Sequence, residues 1–343
     1  MNSPKRAAVI GSGFGGLSLA IRLQAAGVQT TVLEKRDKPG GRAYVYEDQG
    51  FTFDGGPTVL TDPSSLQALF EIGGKRMEDY VELMPVDPMY RLCWEDGTVF
   101  DYTNDPERLE EQIRALNPAD VDGYRRFLDY SRETFEKGYL ELGHVPFLNF
   151  GSMIRVAPAL MKLNAYRSVY RQVSKFVQDE HLRQAFSFHP LLVGGNPFMT
   201  SSIYSLIHAL EREWGVWFAR GGTGALVRGL VKLFEDLGGT IRLSSEVAHI
   251  DTADGRITGV RTRDGWHGEF DAVASNGDVL HTYRDLLGHT DRGRKKSRSL
   301  ESSRWSMSLF VIYFGLKRVH EHLKHHMVLF GPRYKGLIQD IFN

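Results

Sequence analysis

Cysteine is almost missing from this sequence: Cys93 is the single thiol in 343 residues. An internal disulfide framework is therefore excluded, and the usage fits a reducing, cytoplasmic setting. Net charge is missing as well. Lysine plus arginine number 42 and aspartate plus glutamate also 42, which argues against a nucleic-acid partner. Long apolar runs are lacking. The longest, SLFVIYFGL at 308–316, is far too short to span a bilayer and reads as a buried strand. The N-terminal MNSPKRAAVIGSG holds no apolar region of the length a signal peptide needs.

Familiar hydrolytic and metal signatures are lacking too. There is no Ser-His-Asp elbow, no HExxH and no paired-cysteine site, so no metal is expected and no catalytic residue can be named. HEHLKHH at 320–326 spaces His322 and His326 as a helical metal pair would. A solvated polar turn is the plainer expectation there. His189, within SFHPLL, reads as a satisfied core histidine.

What is present is ordinary for a globular enzyme: 42% apolar and 24% charged residues. The length suits one large domain or two ordinary ones. The N-terminus is more informative. RAAVI at 6–10 reads as a buried strand and 14–26 as a helix, with Leu17, Ala20, Ile21 and Leu23 at helical spacing. Gly27 then stops the helix, and QTTVLE at 29–34 is a second strand. Between strand and helix lies Gly11-x-Gly13-x-x-Gly16. The first glycine permits a tight turn, the second lets backbone approach a pyrophosphate, and the third lets helix and strand pack closely. The helix N-terminus offers free N–H groups and about half a positive charge to the phosphates. Glu34, 18 residues after Gly16, is placed to take ribose hydroxyls and speaks against a 2′-phosphate.

A nicotinamide fold would continue into further regular units. Here RDKPGGRA follows instead, so Gly40 and Gly41 can wrap a second loop over the pyrophosphate while Arg42 neutralises it. FDGGPT at 53–58 adds another tight backbone segment. No second GxGxxG occurs. Further on, YRLCWEDGTVFDY reads as a hairpin turning at Asp96-Gly97.

A different texture runs from 144 to 177. It has no acidic residue but carries Arg155, Lys162, Arg167, Arg171 and Lys175. Met153, Val156, Leu160, Leu163, Tyr166, Val169 or Tyr170, Val173 and Phe176 recur every three or four positions, with Pro158 expected to start or kink the helix. A basic amphipathic helix without acids is the pattern of an interfacial membrane helix.

Long strings carry a resemblance. GSGFGGLSLAIRLQAAG, VLEKRDKPGGRAYVYEDQGFTFDGGPTV, QDEHLRQAFSFHPLLVGGNP, SSIYSLIHALEREWGVWFARGGTGALVRGL and DAVASNGDVLHTYRDLL together resemble the bacterial-type phytoene desaturases, FAD-dependent flavoproteins of the amine-oxidase type. The resemblance implies FAD held by Gly11, Gly13, Gly16, Glu34, Gly41 and Arg42. It also sets Val247, in SEVAHI, beside the adenine, and Gly277 where alanine is usual. It further implies hydride abstraction from an allylic CH2 of phytoene plus proton loss, repeated towards lycopene, with oxygen or a quinone as electron acceptor. A peripheral membrane location through 144–177 would give access to a substrate that water does not dissolve. Related flavoproteins (a C30 carotenoid desaturase, a carotene isomerase, an amine or porphyrinogen oxidase) and an inert nucleotide-binding fragment are the alternatives.

The expected fold is α/β with an α+β substrate part: a Rossmann-like FAD-binding domain with a discontinuous substrate and membrane domain. The FAD-binding parts are expected at 1–100 and 214–285, with substrate parts at 101–213 and 286–343. The family's glycine-rich C-terminal segment has no counterpart here, so the substrate domain is expected to be incomplete, with weak FAD binding and poor desaturation.

Overall fold

The computed structural model describes residues 5–143, 145–146, 150–303 and 305–342. Along the chain, β1 is Arg6–Ile10, α1 Phe14–Ala25, β2 Gln29–Leu33, β3 Val45–Asp48 and β4 Phe51–Asp54. A second hairpin pairs β5, Tyr90–Trp94, with β6, Val99–Tyr102. The helices α2 (Val121–Phe135), α3 (Phe150–Lys162), α4 (Val169–Val173), α5 (Leu206–Trp214) and α6 (Thr223–Asp236) follow. Then come β7 (Thr240–Arg242), β8 (Val247–Ala253), β9 (Arg256–Thr262), β10 (His267–Glu269), β11 (Ala272–Ser275) and β12 (Met327–Phe330).

Two compact units form, one from residues 1–84 and 217–304, the other from 85–216 and 305–343. In the first, a parallel sheet runs in the order β11-β1-β2-β7. β1 is buried along Ala7, Ala8 and Val9, as a central parallel strand covered on both faces must be. One face packs on α1 and α6 through Leu17, Ile21, Leu226 and Leu230. The other meets the antiparallel β8-β9-β10 sheet through Ala8, Leu33, Val247 and Val260.

The second unit is built on the β5–β6 hairpin, which turns at Asp96-Gly97 with Gly97 at φ +87° and adds β12 in parallel. Tyr90, Tyr102, Phe127, Phe186 and Phe188 fill its core. Buried Glu211 on α5 accepts from Tyr90 Oη at 2.7 Å and pairs with His189 Nε2 at 3.1 Å. The chain crosses between units at 84/85, 216/217 and 304/305. The sequence expectation put these crossings at 100/101, 213/214 and 285/286. The early crossing follows from the β5–β6 hairpin, whose partner is β12, more than two hundred residues away.

Several expectations are corrected. Residues 308–316 form no strand: they run without regular structure, with Leu309 78% and Phe310 91% exposed. An apolar run becomes a buried strand only where a sheet edge receives it, and no described strand pairs with this one. The segment 144–177 is not one helix. α3 ends at Lys162, Asn164 takes φ +55°, and α4 starts after Ser168, whose Oγ accepts from the Arg171 N–H at 3.3 Å. Residues 144 and 147–149 of that expectation lie outside the described residues. Pro158 sits inside α3. Its missing N–H deprives the Ile154 carbonyl of a helical partner, which is tolerable because both residues are exposed to water. His322 and His326 share no helix; the His326 Nδ1 lies 3.0 Å from the Met89 carbonyl.

Candidate functional site: a glycine pincer and a basic apolar segment

In the first unit, β1 ends at Ile10 and Gly11 follows at φ +94°, a conformation that side chains resist. The chain then turns directly into α1. A Cβ on Gly16 would fall on the Gly11 carbonyl oxygen, so this position has room for hydrogen only. The Gly13 N-cap supplies no side chain to the first turn of α1, and no acid stands there. Its free N–H groups and dipole are left for an anion.

The second loop closes over the first. The Gly40 N–H donates to the Ser12 carbonyl at 3.0 Å, and Gly13 and Gly40 form a parallel bridge. Gly41, at φ +59°, comes so near that a Cβ on it would lie 3.0 Å from Gly13 Cα. Gly56 backs this loop from beneath, since its Cβ would strike the Arg42 carbonyl. The Arg42 side chain is exposed in a single turn and forms no ion pair among the described residues. Next to it, the Tyr44 hydroxyl donates to Asp37 at 2.7 Å, which holds that carboxyl below the usual aspartate range.

Glu34 is buried at the end of β2. Its Oε2 accepts from the Ser12 N–H at 2.9 Å and the Ser12 Oγ at 2.6 Å, and its Oε1 accepts from the Arg36 N–H at 2.9 Å. Its backbone bonds to Arg242 and Ser245 at 2.9 and 2.7 Å, which brings in the strand leading to β8. Val247 opens β8 and is buried in one cluster with Ala8 and Leu33, so its side chain belongs to the core.

Two residues escaped sequence reasoning. Asn276, just after β11, lines the back of the glycine loop: its Nδ2 would lie 3.1 Å from a Cβ on Gly13, and its Oδ1 2.6 Å from one on Gly15. The ASNGD passage drew attention to Gly277, yet it is Asn276 that lies against the loop. Asp54 accepts from the Thr223 and Gly224 N–H groups at 2.9 and 3.1 Å and so caps α6 across 169 residues of sequence. Sequence spacing carries no signal for a cap so remote.

In the second unit, α3 exposes apolar side chains: Met153 at 45%, Ile154 at 60% and Met161 at 61%. The following Val169, Val173 and Val177 are buried. Arg155, Lys162, Arg167, Arg171 and Lys175 make no ion pair among the described residues; Arg167 only stacks on and donates to Tyr166. No described helix is long and apolar enough to cross a membrane.

Comparison with known proteins gives the family of the chain. The sequence profile of the flavin-containing amine oxidoreductases matches residues 14–339. The chain is 63% identical over 339 residues to a lycopene-forming phytoene desaturase of Pantoea ananas, covering 99% of this chain and 69% of that one. The chain belongs to the phytoene desaturases of the flavin-containing amine oxidoreductase family. A neurosporene-forming phytoene desaturase of Rhodobacter capsulatus is 41% identical over 341 residues, 98% of this chain and 65% of its own length. A solved structure from Pyrococcus furiosus shares the fold at a TM-score of 0.58 and 21% identity, covering 87% of this chain and 65% of that one.

As a phytoene desaturase of this family the chain is an FAD-dependent oxidoreductase. The glycine loops fit that cofactor on steric grounds: a diphosphate needs backbone N–H groups with no Cβ in the way, and Gly11, Gly13, Gly40 and Gly41 bring none to these turns.

Proposed function

We propose that this chain catalyses the desaturation of phytoene towards lycopene, working from the surface of a membrane. The 63% identity over nearly the whole chain to a lycopene-forming desaturase carries the reading. The chemistry a bound flavin supplies is two-electron oxidation of an allylic CH2, with a proton lost from the neighbouring carbon and a new conjugated double bond left behind. Oxygen or a quinone takes the electrons onward.

The residues divide that work. Gly11, Gly13 and Gly16 with the α1 N-terminus take one side of the diphosphate, and Gly41 and Arg42 close the other, the guanidinium offsetting its charge. Glu34, held in place by Ser12 and Arg36, accepts from ribose hydroxyls. The β8 start at Val247 borders the adenine. Asn276 fixes the loop from behind and is a positioning residue. The exposed apolar face of α3 and the five unpaired cations rest on an anionic bilayer, where each cation contributes on the order of 1 kcal/mol.

Two measurements test this. The chain is purified with FAD and its flavin absorbance read, then mixed with phytoene in liposomes and a quinone, and the pigments are separated. Coloured carotenoids formed with stoichiometric flavin support the proposal. A colourless chain that stays so after soaking with FAD removes it. Co-sedimentation with anionic liposomes tests the membrane part separately.

A further inference from the structure

The basic segment is more than a charged face, because two cavities meet on it. One is an apolar groove of about 360 Å3 lined by Met153, Ile154, Ala157, Leu160, Met161 and Tyr166. The other, about 440 Å3, is lined by Arg167 and Arg171 together with Tyr166, Phe198 and Met199. Tyr166 belongs to both, so the apolar groove opens beside the two guanidinium groups. Neither arginine is paired with a carboxylate among the described residues. Sequence supplies no acid between 144 and 177 to pair with them.

An apolar trough adjoining two unneutralised cations is complementary to one kind of molecule: an acyl chain ending in a phosphate. From this juxtaposition we propose that the α3 groove and the Arg167–Arg171 pocket form a seat for a single phospholipid, its acyl chain along α3 and its phosphate between the two arginines. Two arginine forks match a phosphate, which offers more oxygens than a carboxylate. This rests on the membrane reading above but is narrower: docking by charge needs only a negative surface, whereas a seat selects a phosphate and binds one lipid per chain.

The test compares the full chain on two sets of phosphatidylcholine vesicles matched in surface charge, one holding phosphatidic acid, the other cholesteryl hemisuccinate. The wild-type chain is expected to bind the phosphatidic acid vesicles about tenfold more tightly. R167Q/R171Q is expected to erase that preference, while R155Q/K162Q weakens both vesicle types equally and keeps it. Equal binding by the wild type, or a preference that survives R167Q/R171Q, overturns the seat but leaves charge-driven docking standing. Binding to neither vesicle type removes the docking reading. The seat is then still tested by titrating dihexanoyl phosphatidic acid below its micelle concentration. One-to-one binding lost in A157W, which fills the groove without changing charge, supports it. No binding, or inorganic phosphate binding as well as the lipid, overturns it.

Discussion

The glycine pincer and the basic segment close on their surroundings in opposite ways. In the pincer the near approaches are backbone against backbone: Gly16 on the Gly11 carbonyl, Gly41 on Gly13, Gly56 on the Arg42 carbonyl. In the segment 150–177 two helices flank a break at 163–168, and what matters is which side chains have something to lie against. Val173 has core around it; Met153, on the same run of apolar spacing, and Ile154 beside it have water. A steric site is written into the residues that form it. A packing face is written into those residues and their neighbours together.

The largest effect that could break this contrast is at Gly16. Gly16→Val is expected to cost about 3 kcal/mol or more, since a rigid carbonyl occupies the space, and to strip flavin from the purified chain. Gly27→Ala is the control. Gly27 sits at φ +82° with nothing near its Cβ direction, so it should cost only about 1 kcal/mol, the strain of a left-handed alanine. Urea melts and flavin absorbance check both; similar losses at the two positions would dissolve the steric argument.

Next is Glu34. Glu34→Ala strands the Ser12 N–H, the Ser12 hydroxyl and the Arg36 N–H around a buried hole. Each unmade buried bond costs about 1–3 kcal/mol, so stability falls by about 3 kcal/mol. Glu34→Gln keeps the shape, and its effect should fall on the cofactor: FAD affinity down at least about tenfold for a modest loss of stability. Flavin fluorescence titration measures it. Unchanged affinity in Glu34→Gln would take Glu34 out of the site.

The third prediction lies within the segment. Val173→Ala should cost about 2 kcal/mol of stability through an unfilled core and leave vesicle binding alone. Ile154→Ala should leave stability within about 0.5 kcal/mol but weaken binding to anionic vesicles about fivefold, as an exposed aliphatic lost from a lipid contact would. Swapped outcomes would mean that the two halves of the segment had been assigned the wrong way round.

How legible each region was follows from the same contrast. Gly11, Gly13 and Gly16 could be placed at a strand–helix turn because zero side-chain volume is a property of glycine alone, and a positive φ, as at Gly11, comes to it most easily. The hairpin at Asp96-Gly97 was legible for that reason too. Asn276 was not, since its role exists only once β11 lies beside β1, and nothing in residues 272–278 says so. The run at 308–316 misled because apolarity predicts burial without naming a partner. The break at 163–168 was hidden because Asn164 in the left-handed region and the Ser168 cap interrupt a periodicity that runs straight across them.

The smallest effect concerns a contact that is neither steric nor apolar. Arg91 on β5 grips Asp101 on β6 through two bonds of 2.7 and 2.8 Å, with Arg108 at 3.4 Å. The Arg91 hydrogen bonds hold the Asp101 carboxyl below the ordinary aspartate value, against the opposing effect of burial. With its folded pKa depressed, Asp101 adds stability that is fully present above the unfolded value near 3.9 and is lost as pH falls through the folded one. Asp101→Asn should therefore cost about 1 kcal/mol at neutral pH. The difference from the wild-type chain should shrink as pH falls below the unfolded value and vanish once the folded carboxyl is itself protonated. Urea melts across that range decide it. A gap that persists in acid would mean that Asp101 acts through its shape in the hairpin, and the second unit would then resemble the pincer more than the segment.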